Sequence, residues 1–178
     1  MKLISELMKN SRRSDRDLAK AIGVSQPTVS RLVKKLEEEG YVQEYTMIPN
    51  FRKLGYEILA LSFVKFSRMY SPEEVQTTKK AASRLFSEGP SEIFMIERGK
   101  GLGCQGVFIS FHKNYSAYIE FEEWIRKTIS SDISDIQTFL VNLNDQVRYR
   151  PMSFFTIAKH ILTFNDEQEK VRRRRTTA

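Results

Sequence analysis

The run SQPTVSRLVKK groups side chains suited to a polyanion with readable edges: Ser25, Gln26, Thr28, Ser30, Arg31, Lys34 and Lys35, set around Pro27. Gln, Ser, Thr and Arg can hydrogen-bond base edges in a DNA major groove. Lys34 and Lys35 fit phosphate contacts, and Arg12, Arg13 and Arg16 could add to them. No acidic residue interrupts positions 18 to 36, whereas residues 36 to 44 hold four acids and no base. From Lys9 to Lys35 eight basic side chains stand against Asp15 and Asp17, a local net charge of +6. A solvated helix face explains isolated lysines, but not a small, polar, acid-free half-helix.

These residues need a scaffold, and the apolar spacing supplies one. Leu3, Ile4, Leu7 and Met8 predict a helix over 2–10. Ser14 offers an N-cap to a second helix, with Asp15 and Asp17 where the helix dipole favours anions. Leu18, Ala19 and Ile22 form its inner stripe, and Gly23 supplies a sharp exit. Val24 is expected as a buried plug. Ser25 caps a third helix with Pro27 in its first turn. Val29, Leu32, Val33 and Leu36 are its expected inner face, and Gly40 is its end. The small Ala19 and the turn at Gly23 stand at helix-turn-helix offsets, where a bulky side chain would hold the helices apart. The alternative is an ordinary helical hairpin in a core. Tyr41, Val42, Tyr45, Met47 and Ile48 then predict short β-structure, a wing.

The run DLAKAIGVSQPTVS, continued by RLVKKLEEEGYVQEYTMIPNFRKLG, resembles the leucine-responsive/asparagine-synthase-C (Lrp/AsnC) family of prokaryotic transcription regulators. Leu36, Glu37, Gly40, Tyr45, Leu54 and Gly55 stand at that family's marker positions. The resemblance implies an α+β protein. Its parts are a winged helix-turn-helix for operator DNA over 1–48, a linker over 49–55, and a ferredoxin-like domain over 56–143 for pairing and often effector sensing. In the family, a Gly and then an Asp lead into the third strand of that domain. Here Gly103 and Gly106 take those places, so the acidic residue is missing and the effector, if any, is unidentified.

The second half, read by its own pattern, gives the same architecture. Tyr56 to Phe66 predicts a strand, Ser71-Pro72-Glu73-Glu74 a helix start, and Val75, Ala82, Leu85 and Phe86 that helix's apolar side. Ile93–Ile96 and Val107–Phe111 predict strands around a Gly-rich loop from Gly99 to Gly106. Residues 114–129 predict a helix with Tyr118, Phe121, Ile125 and Ile129 inward, and Ile136–Leu143 a last strand. The order is βαββαβ. Ile58, Ala60 and Val64 point to one face of the first strand while Leu59, Leu61 and Phe63 point to the other. Two helices cover one face only, so a partner subunit is expected on the second. The alternative cover is the extension over 144–165, where Phe154, Ile157, Ala158, Ile161 and Leu162 predict an amphipathic helix. Residues 166–178, with the basic run from Lys170 to Arg175, predict a disordered tail able to add salt-sensitive DNA affinity.

Composition narrows the rest. The 178 residues carry net charge +7, with 40% hydrophobic and 11% aromatic content, enough for packed cores. The most apolar stretch, Ile58 to Val64, is far below the roughly 20 residues needed to span a bilayer. MKLISELMKN is too polar for a signal peptide. A single cysteine, Cys104, fits a reducing, cytoplasmic setting. With only His112 and His160 and no Cys/His cluster, neither a metal site, a cofactor nor a catalytic set is expected. The Gly-rich loop lacks the phosphate-loop spacing. Sirohaem decarboxylases share the architecture, yet the chain has no equivalent of their His- and Arg-bearing pattern. The expected partners are double-stranded DNA, a second copy of the chain and a small effector of unknown identity. A helix-turn-helix that binds only protein, in a sensing or assembly module, is the remaining reading.

Overall fold

A computed structural model describes residues 1–68, 71, 73–76, 79, 83, 87, 92–129, 133–147 and 149–163. The chain forms two compact units. One joins Met1–Ile48 to the segment beginning at Tyr149; the other is Pro49–Arg148.

The first unit holds α1 (Lys2–Lys9), α2 (Asp15–Ile22) and α3 (Gln26–Glu38). Local chemistry sets each boundary. The Ser14 hydroxyl accepts from the Asp17 amide and donates to its carboxylate, at 3.2 and 2.6 Å, closing the start of α2. Gly23 ends that helix at φ 76, and its amide and that of Val24 both bond the Ala19 carbonyl. Leu3, Leu18, Ala19 and Val29 form the buried core, packed by Leu7, Ile22, Val33 and Leu36. Burial of Leu18 and Val29, both essentially solvent-free, stabilises the trihelical unit by roughly 1.5–3 kcal/mol each.

Two apolar expectations fail here. Val24 is 39% exposed, because the capping turn fixes its backbone and leaves its side chain outside. Leu32 is 37% exposed, since Val29, Val33 and Leu36 already fill the narrow stripe that two partner helices can cover. The predicted wing strands also do not form. Residues 42–50 are without helix or strand, having the side chains of a strand but no ladder partner among the described residues.

In the second unit, β1 (Ile58–Phe66), β2 (Ile93–Gly101), β3 (Cys104–His112) and β4 (Ile133–Asn142) form an antiparallel sheet in the order β2-β3-β1-β4. Residues 73–76, 79, 83 and 87 between β1 and β2 are helical. The apolar set Ala82, Leu85 and Phe86 lies outside the described residues, as does the Ile129 side chain. With α4 (Tyr115–Ile129), the order is the ferredoxin-like one. Tyr118, Phe121 and Ile125 of α4 are buried, and Phe121 and Ile125 pack with Val64, Phe108 and Ile136 on one sheet face. That face also buries Ser62, Ser110 and His112. Ser110 Oγ lies 2.8 Å from His112 Nε2, and Ser62 Oγ lies 2.9 Å from Thr138 Oγ1.

The opposite face is apolar and far less covered. Leu61 sits between Ile109 and Phe139, and Phe63 between Val107 and Gln137. Leu59, Leu61 and Phe63 are only half-buried, and Phe139 is 66% exposed. At one end Phe51, in the 3-10 turn Phe51–Leu54, stacks on Phe111 with ring centroids 3.8 Å apart.

The Gly-rich stretch is a hairpin, not a loop. β2 runs through Gly101, which pairs with Cys104 across a two-residue turn of Leu102 (φ 52) and Gly103 (φ 72). Both central residues lie in the left-handed region, as a turn matching the twist of the strands requires. Ladder formation with β3 thus extends a strand through glycines that alone read as loop.

A further helix, α5, spans residues 155–163 and belongs to the first unit. Ala158 is solvent-free, Ile161 and Leu162 are half-buried, and Phe154 and Ile157 are exposed, so its inner stripe is narrower than predicted.

Candidate nucleic-acid interface

The side chains of α3 divide cleanly. With Val29 inward, Pro27, Arg31 and Lys34 fall on the opposite side of the helix, flanked by Ser30 and Lys35. Gln26, Pro27, Ser30, Arg31, Lys34 and Lys35 are all exposed. Ser25 Oγ accepts from the Thr28 amide at 3.4 Å and lies 2.8 Å from Thr28 Oγ1, so these two hydroxyls serve the N-cap first. Lys34 and Lys35 pair with Glu38 and Glu39 at 3.7 and 3.6 Å, loose contacts at exposed positions that cost little to exchange for phosphate. Arg31 has no hydrogen bond or ion pair among the described residues. It projects from the centre of the outer face, free to engage a partner.

Of the three arginines at the start of α2 and just before it, two are open and one is committed. Arg12 and Arg16 are exposed. Arg13 is half-buried: it pairs with Glu6 and donates to the Asp17 carbonyl at 3.2 Å, tying α1 to α2. Hydrogen bonding from Lys9, then its charge and the contact with Arg13, hold the Glu6 carboxyl below its usual range against some burial.

Asp15 was not among the site residues expected from sequence. Ser30 Oγ donates to its carboxylate at 2.5 Å, which brings an anion to the flank of an otherwise acid-free helix face. Tyr45, in the segment after α3, donates to Glu37 at 2.9 Å. Partial burial and then the Glu37 contact raise its phenol above the ordinary value.

The geometry is thus three helices, a sharp glycine turn and a third helix whose exposed first half is polar and basic. Residues 1–43 match the winged helix-turn-helix DNA-binding family. Residues 1–43 are thus similar to a winged helix-turn-helix DNA-binding domain. Over 64 residues, 36% of this chain, the sequence is 41% identical to an uncharacterised helix-turn-helix-type transcriptional regulator of Pyrococcus abyssi, covering 44% of that protein. The chain spans 38% to 53% of the length of the curated relatives it matches. The fold extends the likeness to both units. An AsnC family transcriptional regulator from Agrobacterium tumefaciens superposes with TM-score 0.65 at 19% identity, over 86% of this chain and 94% of the other. A transcriptional regulator of Neisseria meningitidis, solved with L-Met, does so with TM-score 0.65 at 16% identity, over 85% and 90%. The chain therefore has the AsnC-type fold, a helix-turn-helix followed by a ferredoxin-like sheet.

No helix among the described residues is long and apolar enough to cross a membrane, and no group of three or more His, Cys, Asp or Glu there could hold a metal. Cys104 is buried, so it has no access for nucleophilic chemistry.

Proposed function

We propose that this chain is a cytoplasmic, sequence-specific DNA-binding transcription regulator of the Lrp/AsnC type that reads the major groove with residues 25–39 as a homodimer or larger homo-oligomer. The observation carrying this reading is the exposed outer face of α3 on a helix-turn-helix, with Arg31 unpaired among the described residues at its centre. Gln26, Ser30 and Arg31 are assigned to base edges, Ser25, Pro27 and Thr28 to the entry of the helix into the groove, and Lys34, Lys35, Arg12 and Arg16 to phosphates. Arg13 fits better as a link inside the unit.

Residues 1–48 serve DNA in this proposal, and 56–143 serve pairing. The half-covered sheet face around Leu61, Phe63 and Phe139 supports the second role, because an apolar face of that kind is stabilised by a second copy. A small effector is part of the proposal through the L-Met complex of the Neisseria regulator. The site in this chain differs from the family pattern: Gly106 lies mid-strand, where a side chain would meet Val64 and Phe66 rather than a ligand. No enzymatic role is assigned.

The test is selection of bound duplexes from a random pool. An enriched motif with two half-sites separated by one or more turns of about 10 bp supports the reading. Uniform retention of all sequences, or none, refutes it.

A further inference from the structure

Helix α5 is docked along only part of its length. Ser5 on α1 donates a 2.7 Å hydrogen bond to the main-chain carbonyl of Ala158, and both residues are solvent-free. Their small side chains let the two helix backbones approach. Ile161 and Leu162, further along, are half-buried. Before Ala158 the cover stops: Met152, Phe154, Phe155 and Ile157 are each about half exposed, and Tyr149 is 99% exposed. On a helical projection Ile157, Phe154, Ala158 and Phe155 share one arc of about 160° with Ile161 and Leu162, so the apolar face of α5 continues past the part that is docked. Phe154 also breaks a local rule. It is the residue before the helix, and its carbonyl accepts from the Ala158 amide. Ser, Thr, Asp or Asn normally takes that place. The exposed phenylalanine serves neither the cap nor the core of its own unit, and a local rule broken in this way points to a function.

We infer that the overhanging first turn of α5, with the residues just before it, is a self-association surface on which the same surface of a second copy packs across a twofold axis. It is separate from the sheet face proposed for pairing and does not depend on the DNA-binding reading. Area supports a second copy as the occupant. A large apolar side chain buries roughly 150–250 Å², so the five residues leave about 600 Å² open on each copy and about 1,200 Å² in a pair, the lower limit of a specific, stable interface. Charge agrees. Arg150 is the one charged side chain from 149 to 158, and it reaches Thr156 Oγ1 at 3.4 Å, which folds the segment before α5 back beside its first turn. Lys159 borders the arc with its ammonium 4.8 Å from the Phe155 ring centre. An acidic partner would find no row of cations here, whereas an uncharged apolar face is complementary to its own twofold mate.

The experiment is sedimentation of the full chain without DNA, across a hundredfold range of concentration. Phe154→Asp with Ile157→Asp puts two charges into the surface at positions where Asp suits a helix start, so circular dichroism should match the unmodified chain. If helix is lost, Phe154→Ser with Ile157→Ser replaces that variant and is read in the same way. The unmodified chain should assemble beyond a dimer, and the Asp variant should stop at a dimer, the lost step weakened at least tenfold. Phe139→Asp, which acts on the sheet face, should leave pairs joined through α5, and all three substitutions together should give monomers. A dimer that the α5 variant alone breaks carries the inference and overturns pairing through the sheet. A folded α5 variant with the mass distribution of the unmodified chain overturns the inference, as does an unmodified dimer that only Phe139→Asp dissociates; the overhang then belongs to a different partner. Monomers throughout overturn both this surface and the sheet pairing.

Discussion

Asp15 and Ser30 come from the first turn of α2 and the first half of α3, and they meet through a 2.5 Å hydrogen bond. The bond joins the two helices of the turn at their solvent edge, while Leu18, Ala19 and Val29 join them inside. It also places a carboxylate next to the residues assigned to DNA. The same interaction thus helps tie α3 to α2 and, in the proposed complex, repels part of the bound polyanion. A carboxylate so placed penalises all DNA equally, whereas base contacts reward one sequence.

Replacing Asp15 by Asn should tighten binding to random duplex by about two- to fivefold, since an exposed charge contact is worth about 1 kcal/mol or less. The unfolding free energy should fall by no more than that amount. Anisotropy titrations at low salt read the first effect and urea denaturation the second. Unchanged affinity would place Asp15 outside the field of bound DNA.

Arg31→Ala should cost about 1–3 kcal/mol on the selected motif and relax specificity at one position of each half-site. Lys34→Ala should weaken selected and random duplexes alike. Equal losses for both variants on both duplexes would contradict the base-reading role of Arg31.

Phe139→Asp places a charge on the open sheet face, on the edge strand β4. If a second copy covers that face, sedimentation should show the assembly dissociating, with the dimer constant weakened more than a hundredfold, from roughly 3 kcal/mol. An unaltered sedimentation profile argues for pairing elsewhere.

Leu102, 71% exposed at φ 52, holds a left-handed conformation that disfavours its side chain. Leu102→Asn should raise the unfolding free energy by about 1 kcal/mol, because Asn tolerates that region. A drop in stability would show that the leucine makes a contact worth more than the strain.

His112 is buried beneath α4, with its Nδ1 unpartnered among the described residues and its ring 4.8 Å from that of Phe121. Burial lowers its pKa, opposed by the charge of Glu92. The folded value lies below the unfolded one near 6.5, so below about pH 7 the unfolded chain binds more protons and stability falls as pH falls. Above that range the group is neutral in both states and contributes no slope. Denaturation midpoints between pH 5.5 and 7.5 should show this loss in the native chain and a flatter profile in His112→Asn. Parallel profiles would remove His112 as the cause.

What was legible beforehand was whatever short-range chemistry decides. The Ser14 cap, the Gly23 turn and the stripe of Leu18, Ala19 and Val29 each depend on neighbours within a few residues, and all stand as expected. The alternation in β1 likewise announced a sheet with two apolar faces. The misses share a different cause. Val24 reads as core by type, but a cap bond on its backbone turns it outward. Gly99 to Gly106 reads as loop by composition, yet pairing with β3 recruits most of it into strands. Residues 41–48 read as strand by composition and lack a ladder partner among the described residues. Asp15 entered the site, and Ser5 the core, through residues 15 and 153 positions away, distances over which local spacing carries no signal.

The Ser5–Ala158 contact also sets an order of events during synthesis. At about 5–20 residues per second, the stretch between them takes roughly 8 to 30 seconds to translate. The sheet unit is continuous in sequence and can close while the ribosome is still reading. The helical unit is assembled from segments on either side of the sheet unit, so its last wall is synthesised only after the sheet unit has been. A nascent chain therefore completes the sheet proposed to pair before it completes the unit proposed to bind DNA.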